Sequence, residues 1–184
     1  MTQIAWINQS QGQLADADAA RIVEALNLQA PDLAAGWPGT EISHVTATAD
    51  TVPAGAVKAY WLQNADVAGA LGYHDVDPSG DPYIRVFTET ILSNGGSALS
   101  GAVSISVCSS HEACEEAVDP ACTATATAPN GDVWADETAD PVESNSYNVT
   151  TSDGTVVAVS DFVLPSFFQQ AAARLVDLAD RGAP

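Results

Sequence analysis

The sequence predicts an α+β domain in which a small mixed β-sheet packs against two or three helices. Residues 42–47 alternate apolar and polar side chains, which is typical of a half-buried strand. Ile22, Val23 and Leu26 recur at helical spacing, which indicates a helix with one apolar face. The chain has 184 residues, 46% of them hydrophobic, and no repeat or linker divides it, so we expect a single domain over residues 1–184 with a real core.

The N-terminal part predicts one helix among three strands. Asp16 or Asp18 is suited to cap a helix that runs to about Leu28, and the prolines and glycines from Pro31 to Gly39 indicate a turn-rich break after it. The predicted strands cover residues 4–7, 42–47 and 57–62.

The remainder of the chain predicts two further strands and two further helices. Residues 72–83 are rich in Asp, Gly and Pro and indicate an acidic loop. An apolar segment becomes helical from about Val107, and Asp119-Pro120 ends it because a residue before proline disfavours the helical conformation. The predicted strands cover 83–88 and 156–163, and a last helix covers about 166–181.

The charge of the chain excludes two classes of partner. Five Lys and Arg stand against 24 Asp and Glu, for a net charge of −19. Such a surface repels nucleic acid phosphates and anionic membranes, so we expect neither as a partner. The acidity fits either an ordinary acidic protein or adaptation to high salt, a halophilic trait. The sequence also shows no apolar stretch long enough to span a membrane and no signal peptide.

Residues Ser110 to Glu116 hold the pattern H-E-x-x-E, in which His111 and Glu115 are four residues apart on a predicted helix. Side chains at this spacing share one helix face and reach one metal ion, as in the zinc peptidase pattern H-E-x-x-H. His111 and Glu115 are therefore candidate ligands, and Glu112 is the candidate general base. The glutamate ligand suits zinc, and it also admits calcium or another divalent cation.

The third ligand must come from another part of the chain. Glu137, Asp140 and Glu143 form an acidic group downstream of the motif, and Glu137-x-x-Asp140 is reminiscent of the downstream acidic ligand of thermolysin-type enzymes. Asp119 reaches the ion only if the helix ends before it, and His74 is a further candidate from a loop. The spacing leaves these alternatives open.

Three blocks of the sequence form an ordered pattern: Ser110-His111-Glu112-x-x-Glu115-x-x-x-Asp119-Pro120, Asp140-Pro141-Val142-Glu143-x-x-Ser146-Tyr147, and Val159-Ser160-x-Phe162-Val163-Leu164-Pro165-x-x-Phe168. This pattern resembles a family of proteins from tailed phages and related viruses that are regarded as zincin-like metallopeptidases of the virion. The resemblance covers about residues 68–168, and it implicates Glu112 as catalytic residue and His111, Glu115, Asp140 and Glu143 as metal ligands. Where such proteins tend to have Glu-x-Cys-Asp, this chain has Glu137-Thr138-Ala139-Asp140, so a thiolate ligand has no support.

The resemblance implies a zincin-like fold with the motif on a central helix, and three functions follow from it and from the charge. The first is a structural component of a tailed-virus particle, in head or tail, with a degenerate peptidase site. Its location would be the virion, otherwise the host cytoplasm, and its partners would be other virion proteins and copies of itself in an oligomer or ring. The second is an active metal-dependent peptidase, and the third is a salt-adapted host protein without a metal.

Overall fold

A five-stranded mixed sheet with helices packed against it forms the centre of the protein. The computed structural model describes residues 1–127, 131 and 133–168. The sheet has the order β2-β1-β3-β5-β4, in which β4 is antiparallel to β5 and the other neighbours are parallel. Its strands are β1 (Thr2–Gln9), β2 (Ile42–Ala47), β3 (Val57–Leu62), β4 (Gly72–Val76) and β5 (Pro82–Phe87).

Helices and two small hairpins make up most of the remaining described chain, and they confirm the predicted α+β class. Helices α1 (Asp16–Gly36) and α3 (Ile105–Val118) pack against the sheet, and α2 (Thr88–Ser93) follows β5 directly. Strands β6 (Thr125–Thr127) and β7 (Val133–Ala135) pair with each other, as do β8 (Ser146–Thr150) and β9 (Val156–Ser160). No helix within the described ranges is long and apolar enough to cross a membrane.

The predicted end of the first helix is wrong, because α1 continues through Pro31 to Gly36. A proline inside a helix costs about 3 kcal/mol relative to alanine. Here Ala30 and Leu33 are both buried in the core around the proline, and their burial offsets that cost. The predicted caps are also wrong: the helix begins after Ala15, and Asp16 instead accepts a hydrogen bond from Asn8.

The loop predicted for residues 72–83 is in large part β-structure. Strand β4 occupies Gly72–Val76 and pairs with β5, and only the turn between them has the predicted irregular conformation. The acidic and glycine-rich composition fits a turn, but hydrogen bonding along β5 outweighs it. His74 therefore stands on an edge strand rather than in a loop. Residues 165–168 are helical, and the rest of the predicted C-terminal helix lies outside the described residues.

Helix α3 is fastened to the core through two adjacent serines. The Ser109 hydroxyl accepts a hydrogen bond from Trp61 Nε1 at 2.8 Å and donates to the Ile105 carbonyl. Ser110 donates to Gln29 Oε1 on α1 and accepts from the Ser160 backbone N–H on β9. The Trp61 ring stacks on Trp6 with centroids 4.8 Å apart. The helix is thereby fixed to β3 on one side and to α1 and β9 on the other.

We predict that Ser109→Ala lowers the free energy of unfolding by about 1–3 kcal/mol, because it leaves the buried Trp61 N–H without an acceptor. Urea denaturation measures the change. The control is Ser93→Ala, whose hydroxyl is exposed and donates only to a nearby carbonyl. That variant should stay within about 0.5 kcal/mol of the parent. Equal effects of the two substitutions would contradict the proposed anchoring.

Candidate metal centre

The motif residues lie on the buried face of α3, beside edge strand β4. Ser104 caps the helix by accepting a hydrogen bond from the Val107 N–H, and Asp119 ends it, as the sequence predicts. Glu112 and Glu115 are 6% and 4% exposed, so their carboxylates are held inside the protein rather than in solvent. Buried carboxylates require compensation by cations or hydrogen-bond donors.

The first group of potential ligands contains His111, Glu115 and Asp140. His111 Nε2 lies 3.2 Å from Glu115 Oε1 and 3.2 Å from Asp140 Oδ1. Two ligands of a tetrahedral zinc ion are about 3.3 Å apart when each bond is about 2.0–2.1 Å, so this spacing fits a shared ion as well as a hydrogen bond. The three ligand atoms all lie within 4.8 Å of one another. These residues could therefore hold a metal ion.

The loop that supplies Asp140 is tied to the helix through Glu115. Glu115 Oε1 accepts hydrogen bonds from the backbone N–H groups of Ala139 and Asp140, at 3.3 and 3.2 Å. Asp140 begins a short 3₁₀ turn, Asp140–Val142, and its side chain is 63% exposed at the mouth of the cleft. The downstream acidic residue predicted from the sequence is thus beside the helix motif.

A second group contains His74, Glu115 and Glu137, whose ligand atoms also lie within 4.8 Å of one another. His74 Nδ1 is 3.6 Å from Glu112 Oε2 and 3.7 Å from Glu115 Oε2. His74 Nε2 is 3.8 Å from Glu137 Oε2. His74 therefore projects from β4 into the same cluster of carboxylates as the helix motif.

Two other residues predicted as candidate metal ligands lie outside both groups. Glu143 lines the cleft, but among the described residues it belongs to neither group of potential ligands. Asp119 is also outside both groups, and its Oδ2 atom accepts a hydrogen bond from the Ala124 N–H. The third histidine, His44, is buried in the core, where it accepts a hydrogen bond from Trp6 and burial lowers its pKa to about 3.

The cleft between α3 and β4 has a volume of about 850 Å³. A Cβ atom on Gly72 would lie 2.6 Å from Cys108 Sγ and 3.0 Å from Glu112 Oε1, so glycine is required for Glu112 to pack against the strand. The cleft is lined by residues 69–74, 102–104, 107–108, 111–112, 115, 137, 140–141 and 143–144.

The carboxylates shift the protonation of both histidines. Burial lowers the pKa of His111, but hydrogen bonds to Asp140 and Glu115 outweigh it and raise the pKa to about 10. Burial likewise lowers the pKa of His74, and Glu112 and Glu137 raise it to about 9. The His111 imidazolium in turn lowers the pKa of Asp140. Without a metal, both imidazoles are therefore protonated at neutral pH.

The pKa values of three carboxyl groups deeper in the cluster are also raised, in contrast to that of Asp140. Burial raises the pKa of Glu112, against the charges of His74 and His111. Burial raises the pKa of Glu116 to about 8, and burial together with the Glu115 charge raises that of Glu137 to about 7. Glu116 is fully buried, and the sequence pattern did not single it out. The sequence feature that could have identified Glu116 is its position four residues after Glu112, which puts both side chains on the same helix face.

Comparisons with protein-family models, with curated proteins and with solved structures find no match for this chain. The class that the fold and the cleft define is an α+β protein with buried His and Glu groups that could hold a metal ion.

We predict that the metal-free protein loses stability as the pH rises. The raised pKa values of His111 and His74 stabilise the fold fully below about pH 6.5, and this contribution is lost as the pH passes through their folded pKa values of about 10 and about 9, respectively. The pKa values of Glu116 and Glu137 are also raised from 4.5, so the fold loses stability as the pH rises above that value, and this loss is complete above their folded pKa values of about 8 and about 7, respectively. Thermal melts after chelator treatment should show a lower melting temperature at about pH 9.5 than at about pH 5.5.

The matched measurement repeats these melts with Zn²⁺ present. A bound cation takes the place of the imidazole protons, so the fall with pH should be smaller. A metal-free melting temperature that stays level or rises across this range would contradict the assigned protonation states.

Proposed function

We propose that the protein is a zincin-like metal-dependent hydrolase that cleaves peptide bonds in the cleft between α3 and β4. One observation carries the proposal. His111, Glu115 and Asp140 meet at 3.2 Å spacings from two parts of the chain that are 25 residues apart, with Glu112 buried in the same cleft. Peptides are the proposed substrate class because the H-E-x-x-E pattern resembles that of zinc peptidases.

The ligand atoms of His111, Glu115 and Asp140 suit zinc, with manganese or calcium as alternative ions. One imidazole nitrogen and two carboxylate oxygens are acceptable zinc ligands, and an open fourth position is what a catalytic site needs. Asp140 is exposed at the cleft mouth, so a substrate can approach this side of the group. When bound, the ion would polarise a carbonyl group and lower the pKa of its water to about 7.

We assign the role of general base to Glu112. It follows His111 directly on α3, and its Oε1 atom faces Gly72 while Oε2 faces His74 Nδ1 at 3.6 Å. Burial raises its pKa, which makes it a stronger base than an exposed glutamate. In the proposed reaction Glu112 accepts the proton of the attacking water and passes it to the leaving amine. His111, Glu115 and Asp140 keep their position throughout.

We predict that Glu112→Gln lowers casein hydrolysis by about 10²–10⁴-fold, because it removes the proton acceptor and keeps the side-chain shape. Metal content and the thermal melt should stay close to those of the parent. The matched control is Glu41→Gln, the same change at an exposed residue far along the sheet, which should leave hydrolysis unaffected. Full activity of the Glu112→Gln protein would remove the catalytic assignment.

A second candidate function is a structural role in a tailed-virus particle with a degenerate site. The observation that favours it is the bonding of Glu115, whose Oε1 atom fastens the backbone of Ala139 and Asp140 to α3. A carboxylate in place of a second histidine also adds negative charge and weakens the ion as a Lewis acid. In this role the protein would contact other virion proteins, or copies of itself in a ring, and the ion would hold the loop in place.

For the structural role we expect a fixed number of copies of this chain per purified particle, measured by quantitative mass spectrometry. Particles with the Glu112→Gln substitution should assemble in normal numbers, because no hydrolysis is required. Purified particles without the chain would exclude this role.

A further inference from the structure

Two buried atoms in the cleft between α3 and β4 face each other without a hydrogen-bond partner among the described residues. They are His74 Nε2 and Glu137 Oε2, which lie 3.8 Å apart. This separation is too long for a hydrogen bond. The His74 side chain is 6% exposed, so bulk solvent does not satisfy its nitrogen. Buried polar atoms are costly to leave unpaired, so the pair points to a ligand between them.

Glu115 brings a third ligand atom to this pair. One ligand atom from each of His74, Glu115 and Glu137 lies within 4.8 Å of the other two, and Glu115 Oε2 is 3.7 Å from His74 Nδ1. Two ligands of one ion are about 3.0–4.2 Å apart when each bond is about 2.1 Å long, so these spacings fit a shared cation. Glu116 and Asp136 also have buried oxygens without a partner, but both residues lie outside this group and are not among its ligands.

The two oxygens of Glu115 face different groups of potential ligands. Oε1 is 3.2 Å from His111 Nε2, on the side of the cleft where Asp140 lies. Oε2 faces His74 instead. In hydrolytic sites with two metal ions, the ions are about 3.5–4 Å apart. A carboxylate that presents one oxygen to each ion can bridge this distance, so Glu115 can belong to both groups at once.

The negative charge of the cluster matches two divalent cations. Four acids face the two histidines of the cleft, namely Glu112, Glu115, Glu137 and Asp140. Both histidines bind a metal only as neutral imidazoles. One divalent ion therefore compensates half of the charge of four carboxylates, whereas two ions compensate all of it. Uncompensated charge is costly in a cluster that is largely buried.

We propose that His74, Glu115 and Glu137 bind a second divalent cation, with Glu115 bridging it to the ion held by His111 and Asp140. The bridge rests on the proposed hydrolase site, whereas the group around His74 stands on its own contacts. One imidazole with two carboxylates suits Zn²⁺ or Mn²⁺. In the hydrolase, the second ion offsets the weaker Lewis acidity that results from a glutamate ligand in place of histidine.

The test is the number of ions that the full chain binds. Metal-free protein is dialysed at neutral pH against Zn²⁺ alone, and separately against Mn²⁺ alone, and bound metal is measured by elemental analysis. We expect about two equivalents per chain for the parent and about one for Glu137→Gln, which removes one ligand of the second ion only. The exposed control Glu41→Gln should retain about two equivalents. A parent that saturates at one equivalent, or a Glu137→Gln protein that still binds two, would overturn the proposal.

Asp140→Asn separates this proposal from the proposed hydrolase site. It removes a ligand of the first ion only, so it should bind about one equivalent, and the double variant with Glu137→Gln should lose both ions. If Asp140→Asn lowers the metal content and Glu137→Gln does not, the second site is wrong and the hydrolase site stands. If Glu137→Gln lowers the metal content and Asp140→Asn does not, the hydrolase site is wrong and the group around His74 stands.

Electron paramagnetic resonance of the Mn²⁺-loaded protein tests the bridge. Two Mn²⁺ ions that share the Glu115 carboxylate are magnetically coupled, so the parent should give the spectrum of a coupled pair. Glu137→Gln and Asp140→Asn should each give the spectrum of an isolated ion. A parent that binds two ions and shows only the uncoupled spectrum would contradict the bridging role of Glu115.

Thermal melts exclude unfolding as the cause of lost binding. The Glu137 side chain is 23% exposed and that of Asp140 is 63% exposed, so both amide variants should fold. Their metal-free melting temperatures should stay close to that of the parent. Added Zn²⁺ should raise the melting temperature of the parent more than that of either variant, since each ion bound to the folded state adds stability. An equal rise in the parent and in Glu137→Gln would count against the second site.

Discussion

The position of helix α3 is the constraint on which the cleft depends. Ser109 bonds to Trp61 in the sheet, and Ser110 bonds to Gln29 and to the Ser160 backbone. These bonds fix the rotation of the helix about its axis, and the following residues His111, Glu112 and Glu115 are thereby directed toward β4 and the downstream loop. The two serines next to the motif therefore determine which metal-ligating groups can meet.

The consequence of this placement is a concentration of buried acids. Glu112, Glu115 and Glu116 are each no more than 6% exposed, within a span of five residues on one helix. Burial of three carboxylates would be prohibitive without compensation. His74 and His111 supply part of it, and backbone N–H groups supply another part at Glu115. The neighbouring carboxylates raise the pKa values of both histidines, and burial raises the pKa of Glu116 to about 8.

The sequence predicted those parts of the fold whose local pattern agrees with their tertiary setting. Strands β2 and β3 have the predicted bounds, and α3 begins two residues before the predicted start. The length of α1 and the β-conformation around His74 were missed, because core packing around Pro31 and pairing with β5 override local composition.

The H-E-x-x-E pattern located His111, Glu112 and Glu115, and the acidic block located Asp140. Glu116 was missed because a pattern of ligands does not reveal which helix face is buried.

Any hydrolytic chemistry in the cleft would depend on a bound metal ion, because of the residues that line it. The described residues that line it include two histidines and five acids, with no lysine or arginine among them. Tyr73 also lines the cleft, but its hydroxyl donates to Asp66, and Arg85 donates to that hydroxyl. A developing oxyanion in this cleft would therefore face negative charge, unless a cation stands beside His111. Protonated histidines do not serve as ligands, so ion binding must displace their protons. The same acids that could hold an ion would thus make the cleft repel an anionic intermediate in the absence of that ion.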